Sequence, residues 1–232
     1  IVAVTEFSQD QYLFTATRKG IVKKSVLSAY GNIRRDGIIA LKIQEEDDLI
    51  GAAIIQEGQD IVLATRRGRT MRFAEKEVRK MGRVSTGVKG ISLKNDDEVV
   101  SMVVVSPGGG QLLTLCENGY GKRTNESEYP SKHRGGVGVI DIKTSVRNGS
   151  TVACKEVFED DEVMIVTQKG VLIRTAVNGI STVGRNTQGV RVINIGDGDR
   201  VIDMTPLPKQ EEDPESITDD DKEANNGESV DE

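Results

Sequence analysis

Over residues 1 to 208, short apolar runs alternate with glycine-centred polar breaks, and none keeps the 3.6-residue spacing of a long helix. Four hairpin-like segments stack on one another: FTATRKGIVKKS, VLATRRGRTMRF, LTLCENGYGKRT and IVTQKGVLIRT. Their turn glycines are Gly20, Gly68, Gly119 and Gly170, at intervals of 48, 51 and 51 residues. Each lies between β-rich runs, where a positive φ lets a tight turn follow the twist of a hairpin. A second glycine, followed by alternating apolar residues, recurs at Gly37, Gly87, Gly136 and Gly189, at intervals of 50, 49 and 53. A third, almost continuously apolar element closes each unit around Ile50, Val100, Val152 and Ile202, most clearly at Val99–Val105. Three landmarks with one period of about fifty predict repeats of four short strands. So small a sheet cannot cover both of its faces, so the repeats pack face to face as an all-β, propeller-like disc or an arc of one. Little helix is expected beyond a turn within residues 74–81.

Charge divides the chain in two. Residues 209–232 carry eleven Asp and Glu against two lysines, a balance of −9 within a whole-chain −6, which leaves +3 for residues 1–208. Beyond Ile217 and Val230 this last segment has no large apolar side chain, too little to offset the entropy of ordering, and it is expected to be a disordered acidic tail. The folded domain is therefore placed at residues 1–208. Cys116 and Cys154 form no CxxC pair and lie far in sequence from the single histidine, His133, so neither a disulfide framework nor a zinc site is indicated, and a reducing cytoplasmic setting fits. No apolar run approaches a membrane span, and the start lacks the marks of a signal peptide. That start, within an apolar run and without methionine, leads us to expect further chain upstream.

Basic residues recur at equivalent places. Four positions after each turn glycine stand Lys24, Arg72, Arg123 and Arg174, preceded in two repeats by Lys23 and Lys122. Arg66, Arg67 and Arg69 flank the second turn, while Arg34, Arg35, Arg83, Lys89, Lys132, Arg134 and Arg185 precede or enter the third strand. Equivalent positions in a disc lie at equivalent radii, so such residues form a basic edge suited to a bent phosphate backbone. The competing reading of the four-residue column is that it pairs with carboxylates between repeats. Four Phe, four Tyr and no Trp make stacking on single strands a weaker reading than duplex backbone binding. No nucleophile elbow, phosphate-binding loop or clustered metal ligands appear, and the acidic runs Glu45–Asp48, Asp96–Glu98 and Glu159–Glu162 read as solvated turns.

The succession TATRKGIVKKSVLSAY, VRKMGRVSTGVKGISL, NGYGKRTNESEYPSK and ISTVGRNTQGVRVI closely resembles the C-terminal DNA-wrapping domain of the bacterial DNA gyrase A subunit, over residues 1 to about 206. The resemblance implies a β-pinwheel, a disc of six blades whose neighbours exchange a strand and whose basic rim wraps duplex DNA; this chain supplies four. It implies no cofactor here, ATP and magnesium being used on other domains. It further implies a bacterial, nucleoid-associated protein, with the remainder of that polypeptide plus the gyrase B subunit completing a heterotetramer. The breakage-reunion tyrosine of the family belongs to another region, so Tyr12, Tyr30, Tyr120 and Tyr129 are not given that role. The family's Gln-Arg-Arg-Gly-Gly-Lys-Gly box has no full match, but Lys132 to Gly138 retains Arg-Gly-Gly-x-Gly. Two alternatives remain at this level: the matching domain of topoisomerase IV, and a propeller that binds protein partners through its faces.

The charge division generates a test. A −9 segment tethered to a basic disc competes with DNA at an effective concentration of up to about millimolar, and screening weakens that competition once the Debye length falls below about 10 Å. Truncation after Pro208 should tighten duplex binding at low salt and change little at high salt in a fluorescence titration. Equal binding of both chains at low salt would leave the tail as a solubilising appendage.

Overall fold

The turn glycines build the predicted hairpins. Gly20, Gly68, Gly119 and Gly170 hold φ of 79°, 75°, 77° and 84°, and each donates its N–H to the carbonyl three residues back, as from Gly20 to Thr17 at 2.9 Å. The computed structural model describes residues 1–106 and 108–209, so all but the first residue of the expected acidic tail at 209–232 lies outside the described residues. The hairpins are β1 (Tyr12–Thr17) with β2 (Ile21–Val26), β4 (Asp60–Thr65) with β5 (Arg69–Ala74), β8 (Gln111–Cys116) with β9 (Tyr120–Asn125), and β12 (Glu162–Thr167) with β13 (Leu172–Ala176). The closing apolar elements form β3 (Leu49–Ile55), β7 (Val99–Val105), β11 (Thr151–Val157) and β15 (Val201–Leu207), each antiparallel to the first strand of its own hairpin. All four line one cavity of about 690 Å³, touched by Ile50, Val100, Val152 and Ile202, and so stand innermost. The helical content among the described residues is four 3-10 turns, including the expected one at Glu75–Glu77.

The third strand does not stay in its own repeat. β6 (Val88–Lys89), β10 (Val139–Ile140) and β14 (Val190–Arg191) pair antiparallel with β2, β5 and β9, the second hairpin strand of the preceding repeat. Three sheets therefore have four strands, in the orders β3-β1-β2-β6, β7-β4-β5-β10 and β11-β8-β9-β14, and the last has three, β13-β12-β15. This exchange is the one the family resemblance implies, and it corrects the simpler picture of a sheet closed within each repeat.

It also corrects one landmark. The donated strand of the third repeat follows Gly138 (φ 68°), not Gly136, and the recurring glycines are Gly37, Gly87, Gly138 and Gly189, 50, 51 and 51 apart. Close approach explains the requirement. A Cβ on Gly87 would lie 2.5 Å from the Val22 carbonyl oxygen, and one on Gly189 would lie 2.6 Å from that of Gly121.

Alternation along the strands distributes the core between blades. In β4, Ile61 and Leu63 face the first blade, packing with Phe14, Phe73 and Ile91, while Val62 and Ala64 face the third, with Leu112, Tyr129 and Cys154. Leu113 and Leu115 turn the other way, to meet Val163, Ile165 and Met204 of the fourth blade. The middle junction also buries a polar cluster. Lys122 donates to Asp141 at 3.0 Å and Thr124 at 2.6 Å, and Asp141 also accepts from Tyr129 at 2.6 Å and Thr114 at 2.7 Å. Burial pushes the Cys154 and Cys116 thiols up to about 12, so both behave as small apolar fillers.

Lys122→Ala would leave the Asp141 carboxylate buried without its cation, and a loss of about 3–5 kcal/mol in urea unfolding is expected. Lys122→Met combined with Asp141→Leu should cost much less. Equal losses would show that the charge pair itself is not what the junction depends on.

Candidate nucleic-acid interface

The basic residues fall into three groups with different surroundings. The first is the column four residues after each turn glycine. Lys24 Nζ donates to the Glu75 carbonyl at 3.2 Å and pairs with the Glu75 carboxylate, both side chains being about 95% buried. Arg72 binds Asp60 at 2.7 Å and donates to the Glu126 and Tyr129 carbonyls at 3.0 and 3.4 Å. Arg123 donates to Ile180 and Asn178 at 2.7 and 3.3 Å and pairs with Glu159. In every case the acceptors include the 3-10 turn region of the next repeat. The expectation that this column forms a binding edge is therefore corrected for Lys24, Arg72, Arg123 and the fully buried Lys122, which are held inside or between blades. Lys23 is also buried, its ammonium donating to the Ala40 carbonyl at 3.1 Å and to that of Arg83; burial, then the charge of Arg83, holds its pKa below the usual lysine range. Arg174 alone of this column is exposed, paired with Glu162 on the neighbouring strand and covered by no blade among the described residues.

Cations of the hairpin turns form the second group. Arg18 pairs with Asp48, and Arg66 bridges Glu98 and Glu117 at 2.9 Å each, joining the second and third blades; these contacts, first the hydrogen bond to Glu98, hold its pKa above the usual arginine value. The acidic runs are thus only partly solvated. Asp47 accepts the Lys19 N–H at 2.8 Å, and Asp97 accepts that of Arg67 at 2.9 Å, so each run ties down the hairpin turn beside it. The run Glu159–Glu162 is not equivalent, since it leads into β12, a first strand that begins at Glu162. Among the described residues no group of three or more His, Cys, Asp or Glu has the geometry of a metal site, and no helix is long and apolar enough to cross a membrane.

The third group lies on the perimeter, where the donated strands are outermost. One arginine in each loop is structural: Arg83, Arg134 and Arg185 donate to the carbonyls of Ile39, Lys89 and Ile140 at 3.0, 3.0 and 3.1 Å, each two residues after a donated-strand glycine of the preceding repeat. Arg69 reaches the Val137 and Gly138 carbonyls at 2.8 and 3.0 Å. Around these clamps Arg34, Arg35, Lys89 and Lys132 are exposed, and no carboxylate lies within ion-pair distance of them among the described residues. Arg67, on a hairpin turn, is equally exposed. Sequence grouping missed Arg79 and Arg191 on the same perimeter, both exposed. Arg191 was detectable, since it stands two residues after Gly189 as Lys89 stands after Gly87. His133 is exposed in the same loop as Lys132, its Nδ1 3.1 Å from the Glu77 carboxylate.

With this geometry in hand, the likenesses to known proteins are specific. A family model described as the DNA gyrase C-terminal domain, beta-propeller, matches residues 11–56, 59–106, 111–154 and 161–208, one segment per repeat. The chain is 42% identical to the DNA gyrase A subunit of Haemophilus influenzae, covering 92% of this chain and 27% of that protein. To the DNA gyrase A subunit of Deinococcus deserti it is 44% identical, covering 91% and 27%. It thus spans about a quarter of the length of these relatives. A solved DNA gyrase A C-terminal domain superposes with a TM-score of 0.79 at 27% identity, over 88% of this chain and 68% of that one. The C-terminal domain of a DNA topoisomerase IV shares the fold, with a TM-score of 0.82 at 22% identity, over 88% and 64%.

The two roles of basic residues separate experimentally. Lys24→Ala, which strands a buried Glu75, should cost about 3–5 kcal/mol, and Arg123→Ala, which unpairs two carbonyls, about 1–3 kcal/mol. Neither should alter the slope of log affinity against log salt for duplex DNA, measured well below the melting range. A flattened slope would return the column to the binding edge.

Proposed function

From the premise that the chain belongs to the DNA gyrase C-terminal domain family of beta-propellers, we propose that it is the DNA-binding and DNA-wrapping domain of a DNA gyrase A subunit. The observation that supports this reading is the set of exposed basic side chains on the perimeter, Arg34, Arg35, Lys89 and Lys132, joined by Arg79 and Arg191. They sit on the donated strands and the loops leading into them, which follow one another around the outside of the row of blades. A duplex laid along that edge meets a cation at each blade, and because the edge is curved, the contacts increase as the duplex bends. Such contacts read phosphate rather than base, so the binding is general in sequence. Arg67 extends the charge onto the hairpin face.

In this reading the chain has no catalytic role of its own. It serves an ATP-driven type II topoisomerase that introduces negative supercoils in a bacterial cytoplasm, its partners being the rest of its own polypeptide and the gyrase B subunit. The Lys132 to Gly138 segment acts as a reduced copy of the wrapping box, since Arg134 is held by the Glu77 and Lys89 carbonyls at 2.8 and 3.0 Å, His133 faces the Glu77 carboxylate, and Lys132 is the basic side chain left for phosphate.

Replacing Arg34, Arg35, Lys89 and Lys132 together with alanine should weaken duplex binding and reduce the magnitude of the salt slope by about 0.9 for each phosphate no longer neutralised. All four are exposed, so thermal stability should stay within about 0.5 kcal/mol per site. Unchanged affinity and slope in a stably folded variant would refute the perimeter as the binding edge.

A further inference from the structure

The third repeat inverts a charge pattern that the other three share. In those, a basic residue precedes the turn glycine, and its N–H is accepted by an aspartate of the loop that leads into the innermost strand. Lys19 donates to Asp47 at 2.8 Å, Arg67 to Asp97 at 2.9 Å and Lys169 to Asp199 at 3.1 Å. In the third repeat the turn carries Glu117 and Asn118, and the corresponding loop, residues 143–150, has no acidic residue but holds Lys143 and Arg147. The Asn118 N–H goes instead to the Asn148 carbonyl at 3.0 Å, and its side-chain amide donates to the Val146 and Arg147 carbonyls at 3.0 and 3.2 Å.

This loop lies inside the row, with a blade on either side of its own, and its base is fixed. Asn148 is fully buried; its side chain accepts from the Ser145 N–H and hydroxyl at 2.7 and 2.9 Å and donates to the Lys143 and Gln188 carbonyls at 2.9 and 3.1 Å. Gly149 closes the turn by donating to the Ser145 carbonyl at 2.8 Å. From this base the tip presents Arg147 and Val146 to solvent, the valine 99% exposed. The Arg147 guanidinium stands 4.8 Å from the centre of the Tyr120 ring, while Arg191 of the perimeter stands 4.9 Å from the same ring and donates to its hydroxyl at 2.7 Å. Tyr120 thus holds a loop cation beside a perimeter cation, and among the described residues neither has a carboxylate within ion-pair distance.

We propose that the Val146–Arg147 tip enters the minor groove of the duplex carried on the perimeter and makes this blade prefer A·T-rich segments. The inference rests on the DNA-binding function proposed above and adds to its phosphate contacts a bias in which stretch of duplex is held here. A minor groove about 6 Å wide admits an arginine and a small apolar side chain, though not a strand or a helix. Where the sequence is A·T-rich the groove narrows and its negative potential deepens, which draws in a guanidinium. Arg191 then meets the phosphates beside the groove that Arg147 occupies, and Val146 rests against the sugars of its wall. A protein partner would need about 800 Å² of contact on each side, built around an apolar centre. One valine among cations suits the groove of a polyanion instead.

The test uses the whole chain and three duplexes of one length: an A·T-rich sequence, a G·C-rich one, and the latter with inosine in place of guanine. Inosine removes the amino group from the minor groove and leaves the major-groove edge as it was. In fluorescence anisotropy titrations the parent should bind the A·T and inosine duplexes more tightly than the G·C duplex. Arg147→Ala and Val146→Asp, both at exposed positions, should abolish that preference. Replacing Arg34, Arg35, Lys89 and Lys132 with alanine should weaken binding to all three and leave the preference in place. Equal, salt-dependent binding of the parent to all three would overturn the groove contact and leave the loop for a protein surface. A preference for A·T that treats inosine as guanine, or one that survives either loop substitution, would overturn it as well. Binding of the parent to none of the duplexes would overturn the DNA-binding function together with this inference.

Discussion

Each of the first three blades depends on a strand of two residues that the next repeat donates to it. The pairing is short, Val88–Lys89, Val139–Ile140 or Val190–Arg191, and two residues of ladder contribute little alone. What makes it hold is its coupling to everything around it. The strand enters through a glycine that presses on the acceptor's carbonyl, leaves through an apolar residue buried between blades, and in β6 and β10 is clamped on its outer carbonyl by an arginine of the following repeat. A repeat without a neighbour lacks all of these, which is why stability in such a row is shared between units and interfaces.

The same coupling explains how this chain distributes its positive charge. Lys24, Arg72 and Arg123 place cations against the carbonyl-rich turn of the next repeat, where they satisfy backbone acceptors that the blade junction would otherwise bury unpaired. Arg134 and Arg185 do the same for the donated strands β6 and β10, and Arg83 for the Ile39 carbonyl. Guanidinium suits both tasks, because one planar group can serve two or three carbonyls at fixed angles. Charge left free for a partner is what these structural needs do not consume, and it gathers where the loops project farthest from the innermost strands.

Paired carboxylates follow the same logic of position. Asp47 and Asp97 sit in acidic, mostly exposed runs, yet each turns inward to accept the N–H groups of a hairpin turn, while Arg66 draws Glu98 and Glu117 together across a junction. The hairpin face is therefore largely neutralised and the perimeter is not. That difference, rather than the total of +3 over residues 1–208, favours the edge over the face as the place for a polyanion.

Much of the fold was written in the sequence by itself: the period of about fifty, the hairpins at Gly20, Gly68, Gly119 and Gly170, the apolar closing strands and the all-β class. These are local properties, set by glycine backbone freedom and two-residue alternation, and a repeat displays them four times. Two things only the tertiary structure decided. One is which sheet receives each third strand; spacing alone did not reveal it, and the glycine that the fold uses is Gly138 rather than Gly136, because the requirement comes from the Thr70 carbonyl of another repeat. The other is the fate of each basic residue. Lys24, Arg72 and Arg123 share a column with Arg174, yet three are enclosed and one is exposed, because enclosure depends on whether a following blade is there to supply the carbonyls. Burial of a charge is settled by neighbours distant in sequence, and residue type and spacing carry no record of them.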